Sequence, residues 1–163
     1  MSRLIATVFW IGYLRPASGT WGSAAALPIA WVLHGLGGLP LLVTATCLLF
    51  PLGWWATANM IRGQEDHDPS EVVVDEVVGQ WIALWPLSFG LWHAGADSWV
   101  FPYPGWLTAF VLFRLFDVLK PGPVGWADRR GDALGVMLDD VIAGLIAAVG
   151  VLGAAMVFHG WLI

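Results

Sequence analysis

The apolar residues of this chain are gathered into five blocks separated by short polar stretches, and that pattern limits its fold more than any other feature. The blocks run from about Trp21 to Leu36, Leu39 to Met60, Val77 to Trp92, Trp99 to Phe113 and Val141 to Ile163. A membrane-crossing helix needs about 20 apolar residues, so the second and fifth qualify cleanly and the others are short. Pro86 in the third block, and Pro102 and Pro104 at the start of the fourth, predict kinks or a shallow helical hairpin made by the two. Soluble domains carry roughly 25% charged residues; here 12% are charged, 58% are hydrophobic and the mean hydropathy is +0.74. The expected architecture is therefore all-α: a polytopic helical membrane protein with four to five transmembrane helices, forming a single membrane-embedded domain over residues 1–163.

The first residues add one element. Arg3 precedes an apolar stretch, Leu4 to Leu14, that ends at Arg15-Pro16 without a clear small-x-small cleavage site. It is too short to cross a bilayer and reads as a short N-terminal interfacial helix kept in the mature protein. The net charge of −5 gives no support to nucleic-acid binding, which calls for a basic face. Cys47 is the single cysteine, which rules out a disulfide within the chain and leaves it as lipid-facing or packing material.

Charge sets the expected orientation. With the N-terminus inside and every block crossing, the inner segments are 1–20, 61–76 and 114–140. They hold Arg3, Arg15, Arg62, Arg114, Lys120, Arg129 and Arg130, which together are all the basic residues. This obeys the positive-inside rule and places the polar face in the cytoplasm. Every acid except Asp97 lies there too, and carboxylates do not set topology, so their gathering calls for a functional reason. Trp92, Trp99, Trp106 and Trp161 fall near the outer boundary, and Trp21 and Trp126 near the inner one, as interfacial anchors do. His34, His93 and His159 fall in outer turns; His67 is the one histidine on the charged face.

Three polar motifs stand at block ends. In the first, Gly19, Thr20, Gly22 and Ser23 lie just before an apolar helix, where open backbone N–H groups and a helix N-terminus suit a phosphate. An ordinary turn with a Ser or Thr cap accounts for the same residues. In the second, Asp75 and Glu76 open the third block, with Gly79 one turn beyond Asp75; acids in a first helical turn also occur simply as caps. In the third, Arg114, Asp117 and Lys120 recur every three residues at a helix end that Pro121 helps stop, an arrangement that self-paired, snorkelling side chains also produce. Asp139-Asp140 then repeats the earlier pattern, two acids opening an apolar helix with Gly144 one turn after Asp140.

The repetition shifts the balance. Two acidic pairs on one membrane face put up to four carboxylates in one layer, where they repel one another and lose hydration. A divalent cation relieves this, and magnesium favours a few carboxylates together with water and phosphate oxygens. Arg114 and Lys120 are surplus to a metal cage but useful for a phosphate.

Four stretches carry a family resemblance: G-T-W-G-S-A-A-A-L-P (19–28), D-P-S-E-V-V-V-D-E-V-V-G-Q-W-I-A-L (68–84), F-R-L-F-D-V-L-K-P-G-P (113–123) and G-V-M-L-D-D-V-I-A-G (135–144). In order and spacing they resemble the phosphatidylglycerophosphatase A family between Gly12 and Gly144. The resemblance implies magnesium-dependent removal of the terminal phosphate from phosphatidylglycerol phosphate, a phospholipid substrate, at the inner membrane of bacteria. Carried over by motif, the functional candidates are Thr20, Asp68, Asp75, Glu76, Arg114, Asp117, Lys120, Asp139 and Asp140. Ser18 stands where the family usually has proline, and Gly131-Asp-Ala-Leu-Gly135 replaces a more glycine-rich approach to the last acidic pair.

The expected mechanism is in-line attack of water on the phosphomonoester. Asp75, Asp139 and Asp140 hold magnesium, and Glu76 completes the shell or orients the water. Arg114 and Lys120 stabilise the equatorial oxygens, Gly19, Thr20 and Ser23 grip a further one, and Asp117 belongs to the same charged set. An aspartyl-phosphate on Asp75 or Asp140, and a second metal, remain open alternatives. The aspartate signature of nucleotide-dependent headgroup transferases and the P-S-G-H block of histidine lipid phosphatases are both missing. A small transporter or a non-catalytic scaffold is the alternative of another class, but transporters place polar groups at mid-bilayer, where these blocks carry no charge.

Overall fold

A computed structural model of the chain describes residues 1–63 and 69–160. It is all-helical: α1 (Ser2–Ala6), a 3-10 turn (Ile11–Tyr13), α2 (Ser18–Ile61), α3 (Val74–His93), α4 (Tyr103–Leu119), α5 (Pro123–Asp128) and α6 (Ala133–Gly160). Of these, α2 and α6 are long and apolar enough to cross a membrane by length and composition.

The 44-residue α2 is two helices joined by a sharp reversal. Gly37 and Gly38 leave helical geometry, and Gly38 takes a positive φ of 60° that disfavours any side chain. The arms run in opposite directions beside α3. Along the first arm, Gly22 lies against Val73, Ala26 accepts from Trp81 Nε1 at 3.0 Å, and His34 Nδ1 meets Ser88 Oγ at 2.8 Å. Along the second the order inverts: Trp85 Nε1 reaches Thr46 Oγ1 at 3.4 Å, and Gly53 packs on Val74. The first two apolar blocks are thus the two arms of a hairpin wrapped on α3, whose residues from Val77 to Leu84 are all buried.

The remaining blocks map onto single helices, with shifted ends. α3 runs unbroken past Pro86, because the bundle around it holds the helix together where the lost hydrogen bond would loosen it. α4 starts after Pro102 with Pro104 in its first turn, a position that has no backbone hydrogen bond to lose. α6 begins at Ala133, six residues before Asp139, which corrects the expectation that Asp139 and Asp140 open this helix. Its start is set by Asp132, whose carboxylate accepts from the Gly135 N–H at 2.7 Å and pairs with Arg130 at 3.0 Å.

The N-terminal stretch from Leu4 to Leu14 is a five-residue helix and a 3-10 turn, which corrects the expectation of one interfacial helix. The Thr7 hydroxyl donates to Arg3 O and accepts from the Trp10 N–H, so it competes with the helical ladder at the point of the break. Val8, Phe9 and Trp10 then take left-handed conformations. The segment is docked on residues 69–73: the Val73 N–H donates to Ala6 O at 2.9 Å, and Gly12 lies directly against the Glu71 carbonyl, where a side chain has no room. Cys47 is exposed.

Candidate active site

One helix crossing brings the acids together. At Gly79, a Cβ would stand 2.6 Å from the Asp140 carbonyl oxygen and 2.5 Å from the Phe113 ring; at Gly144, it would fall on the Gly79 carbonyl oxygen. α3 and α6 therefore approach backbone to backbone, the contact that small residues permit in apolar bundles. Asp75 precedes Gly79 by one turn and Asp140 precedes Gly144 by one turn, so the same crossing points both carboxylates into one space.

Oxygens of Asp75, Glu76 and Asp140 lie within 4.8 Å of one another. Asp75 and Asp140 are buried, at 6% and 3% exposure. Glu76 Oε2 is buried and has no hydrogen-bond partner among the described residues. Three carboxylates this close repel one another, and an orphaned oxygen among them is costly, so the cluster suits a small hard cation that takes oxygen ligands. The residues present fit a divalent metal.

Around this triad the other candidates take distinct places. Asp117 lies beside Asp140 and pairs with Arg114 at 2.5 Å. Arg114 Nη1 also reaches within 3.5 Å of Ser23 Oγ, which itself donates to Gly19 O at 2.9 Å. Gly19 has no side chain because Glu76 needs the room: a Cβ there would fall on Glu76 Oε1 and stand 3.1 Å from Arg114 Nη1. Thr20 is half-buried on the same turn. Residues 19–23 form the first turns of α2, which corrects the expectation of a loop ahead of the helix. Ala17 supplies the left-handed entry that lets the helix start there.

Lys120 and Asp139 are engaged with each other. Lys120 ends α4 in a left-handed conformation, and its Nζ binds Asp139 at 3.1 Å and also pairs with Asp128. Burial disfavours the Lys120 charge, but the two carboxylates outweigh that and raise its pKa above the usual lysine value. Asp139, although adjacent to Asp140, stands outside the triad. Asp68, like His67, lies outside the described residues.

Two residues escaped the sequence reading. Asp128 on α5 shares Lys120; its only signal was a carboxylate spaced beyond Pro121. Gln80 is fully buried, with neither amide atom partnered among the described residues, and it sits one turn after Glu76 on α3. A glutamine inside a run of valines, tryptophan and isoleucine was the available clue.

The profile of "Phosphatidylglycerophosphatase A" matches residues 4–155. The chain is 35% identical over 148 residues to a protein of that name from Haemophilus influenzae, covering 90% of this chain and 84% of the relative. It is 32% identical over 161 residues to the Escherichia coli protein of that name, covering 98% and 84%. It is also 39% identical over 146 residues, 87% and 86% of the two chains, to a Bacteroides thetaiotaomicron protein named "Putative phosphatidylinositol-3-phosphatase". No solved structure matches.

Proposed function

Because the chain belongs to the phosphatidylglycerophosphatase A family, and so is a lipid phosphatase that dephosphorylates phosphatidylglycerophosphate in phospholipid biosynthesis, we propose that its reaction depends on a magnesium ion and that Asp75, Glu76 and Asp140 hold it. The observation that carries the assignment is the meeting of three carboxylates from two helices within 4.8 Å, with one buried oxygen left unpartnered among the described residues.

Asp75, Glu76 and Asp140 would hold the ion, which when bound would supply Lewis acidity toward the phosphoryl group and the water. Arg114 faces the space beside Ser23 and Glu76, and is placed to take charge from the phosphoryl oxygens once substrate displaces part of its pairing with Asp117. Asp117, beside Asp140, is placed to accept a proton from the attacking water. Lys120 acts one step back, holding Asp139 and Asp128 and so the turn between α4 and α6. Thr20 and Ser23 border the same space on the first turns of α2.

We further propose that both arms of α2, together with α3, α4 and α6, each cross the bacterial inner membrane, with the acidic cluster at the cytoplasmic face. The reversal at Gly37-Gly38 supports this reading, since each arm is of spanning length, and so does the confinement of basic residues to one end of the helices.

The test is phosphate release from phosphatidylglycerophosphate by the purified chain, with magnesium and then with chelator. Activity that returns on adding magnesium, with a matching upward shift in melting temperature, supports the assignment. Full activity in chelator removes it. The Bacteroides relative's name makes a phosphatidylinositol phosphate the comparison substrate in the same assay.

A further inference from the structure

One lane of side chains leads away from the acidic cluster into the apolar part of the molecule. Ser23, Leu27 and Trp31 recur every four residues on one face of the first arm of α2, and Arg114, Phe110 and Trp106 recur likewise on α4. The two rows run antiparallel. At one end Ser23 Oγ meets Arg114 Nη1 at 3.5 Å; at the other, Leu27, Trp31 and Trp106 line a cavity of about 290 Å³ together with Trp99 and Phe101. Eight residues of helix separate the ends, about 12 Å.

The far end is a built wall. Trp31 Nε1 donates to the Trp99 carbonyl at 2.9 Å, and the two indoles meet edge to face with centroids 5.4 Å apart. Gly35 lies directly beneath the Trp99 ring, where a Cβ would displace it, and Phe101 packs on the buried His34 at 5.5 Å. Indoles that only anchor a protein at an interface need none of these contacts.

We propose that this lane is the acyl-chain site of the enzyme: one fatty-acyl chain of the phospholipid lies between the first arm of α2 and α4 and ends in the Trp31–Trp99–Phe101–Trp106 cavity. The proposal rests on the lipid-phosphatase reading and on the lane's continuity with the Arg114 end of the site. With the scissile phosphate at the acidic cluster and the headgroup's diester phosphate on the Ser23 side of Arg114, the diacylglycerol stands at the mouth of the lane, and the row from Leu27 to Trp31 then offers a purely apolar path inward. The surrounding lipid is as apolar as the lane, so the gain comes from close contact with fixed rings rather than from escape from water.

The experiment compares dipalmitoyl with dihexanoyl phosphatidylglycerophosphate in detergent micelles. Leu27→Trp fills the lane and Trp106→Ala removes its wall; Val149→Trp, exposed on α6, is the control. Each lane variant is expected to raise KM for the dipalmitoyl substrate by about tenfold while KM and kcat for the dihexanoyl substrate stay within about twofold. The control is expected to change neither. Circular dichroism reports folding independently, and only a lane variant that has lost its helical signal is set aside in favour of the other. Proportional losses on both chain lengths, or none on either, overturn the acyl site while the phosphatase reading stands. A wild-type chain that turns over neither lipid overturns the phosphatase reading itself.

Discussion

A Cβ on Gly144 would fall on the carbonyl oxygen of Gly79, so α6 and α3 touch there with nothing between their backbones. One turn away on each helix stand Asp140 and Asp75. The distance between these carboxylates is thus governed by two residues that have no side chain.

Gly144→Ala is expected to push α6 off α3. Overpacking of this kind costs about 1–3 kcal/mol, which lowers the melting temperature by roughly 2–10 °C in a chain of this size. Turnover should fall by at least about tenfold, because small misplacements of catalytic groups are expensive. Gly153→Ala, on the same helix but with nothing within 4 Å of the added atom, should change neither. If the two alanines behave alike, the crossing does not set the site.

The acids of the last motif should separate by role. Asp140→Asn, at saturating magnesium, is expected to lose at least about a hundredfold in turnover, while circular dichroism shows an intact helical fold. Asp139→Asn, which removes a partner of Lys120 and no member of the triad, should stay within about tenfold of wild type. Equal losses would move Asp139 into the metal site.

That difference explains how far the sequence could be read. Five apolar blocks predict an all-helical chain, which is what the structure has; the reversal at Gly37-Gly38 falls in the gap between the first two blocks and was not anticipated. The repeated acid pair with a glycine one turn on also marks where α3 and α6 meet. Adjacency does not reveal direction, however. Neighbours on a helix point about 100° apart, so Asp139 turns to Lys120 while Asp140 turns to Asp75. The start of α6 was hidden because Asp132 caps it across a stretch of glycines and small residues that reads as loop. Trp99 and Trp106 read as interfacial anchors, and composition alone does not reveal that they also line a cavity.

The cap at Asp132 yields a pH prediction. The hydrogen bond from Arg130 holds its carboxyl below the usual range, against a small opposing effect of burial and with help from the Gly135 N–H. A depressed folded-state pKa adds stability above the unfolded value of about 3.9, and that stability is lost as pH falls through the folded value. Asp132→Ala should therefore cost about 1 kcal/mol near neutrality, most of it from the lost cap because the exposed ion pair is screened. The gap between the melting curves of variant and wild type should shrink as pH falls below the usual carboxylate range. A gap that persists there would assign the effect to packing.

Gln80 is the residue whose presence the packing does not explain. It is fully buried and, among the described residues, its amide makes no hydrogen bond; leaving such a group unsatisfied costs about 1–3 kcal/mol. Gln80→Met fills similar volume without polar atoms and should raise the melting temperature. The amide also lies one helical turn beyond Glu76, whose Oε2 is likewise unpartnered among those residues. If the amide steadies that carboxylate when metal or substrate binds, the same variant should lose about tenfold in turnover, with its apparent affinity for magnesium weakened. A gain in stability coupled to a loss of activity marks a polar group kept for function at the fold's expense. A stabilised variant with unchanged turnover and unchanged magnesium affinity would reduce Gln80 to a tolerated defect in the core of α3.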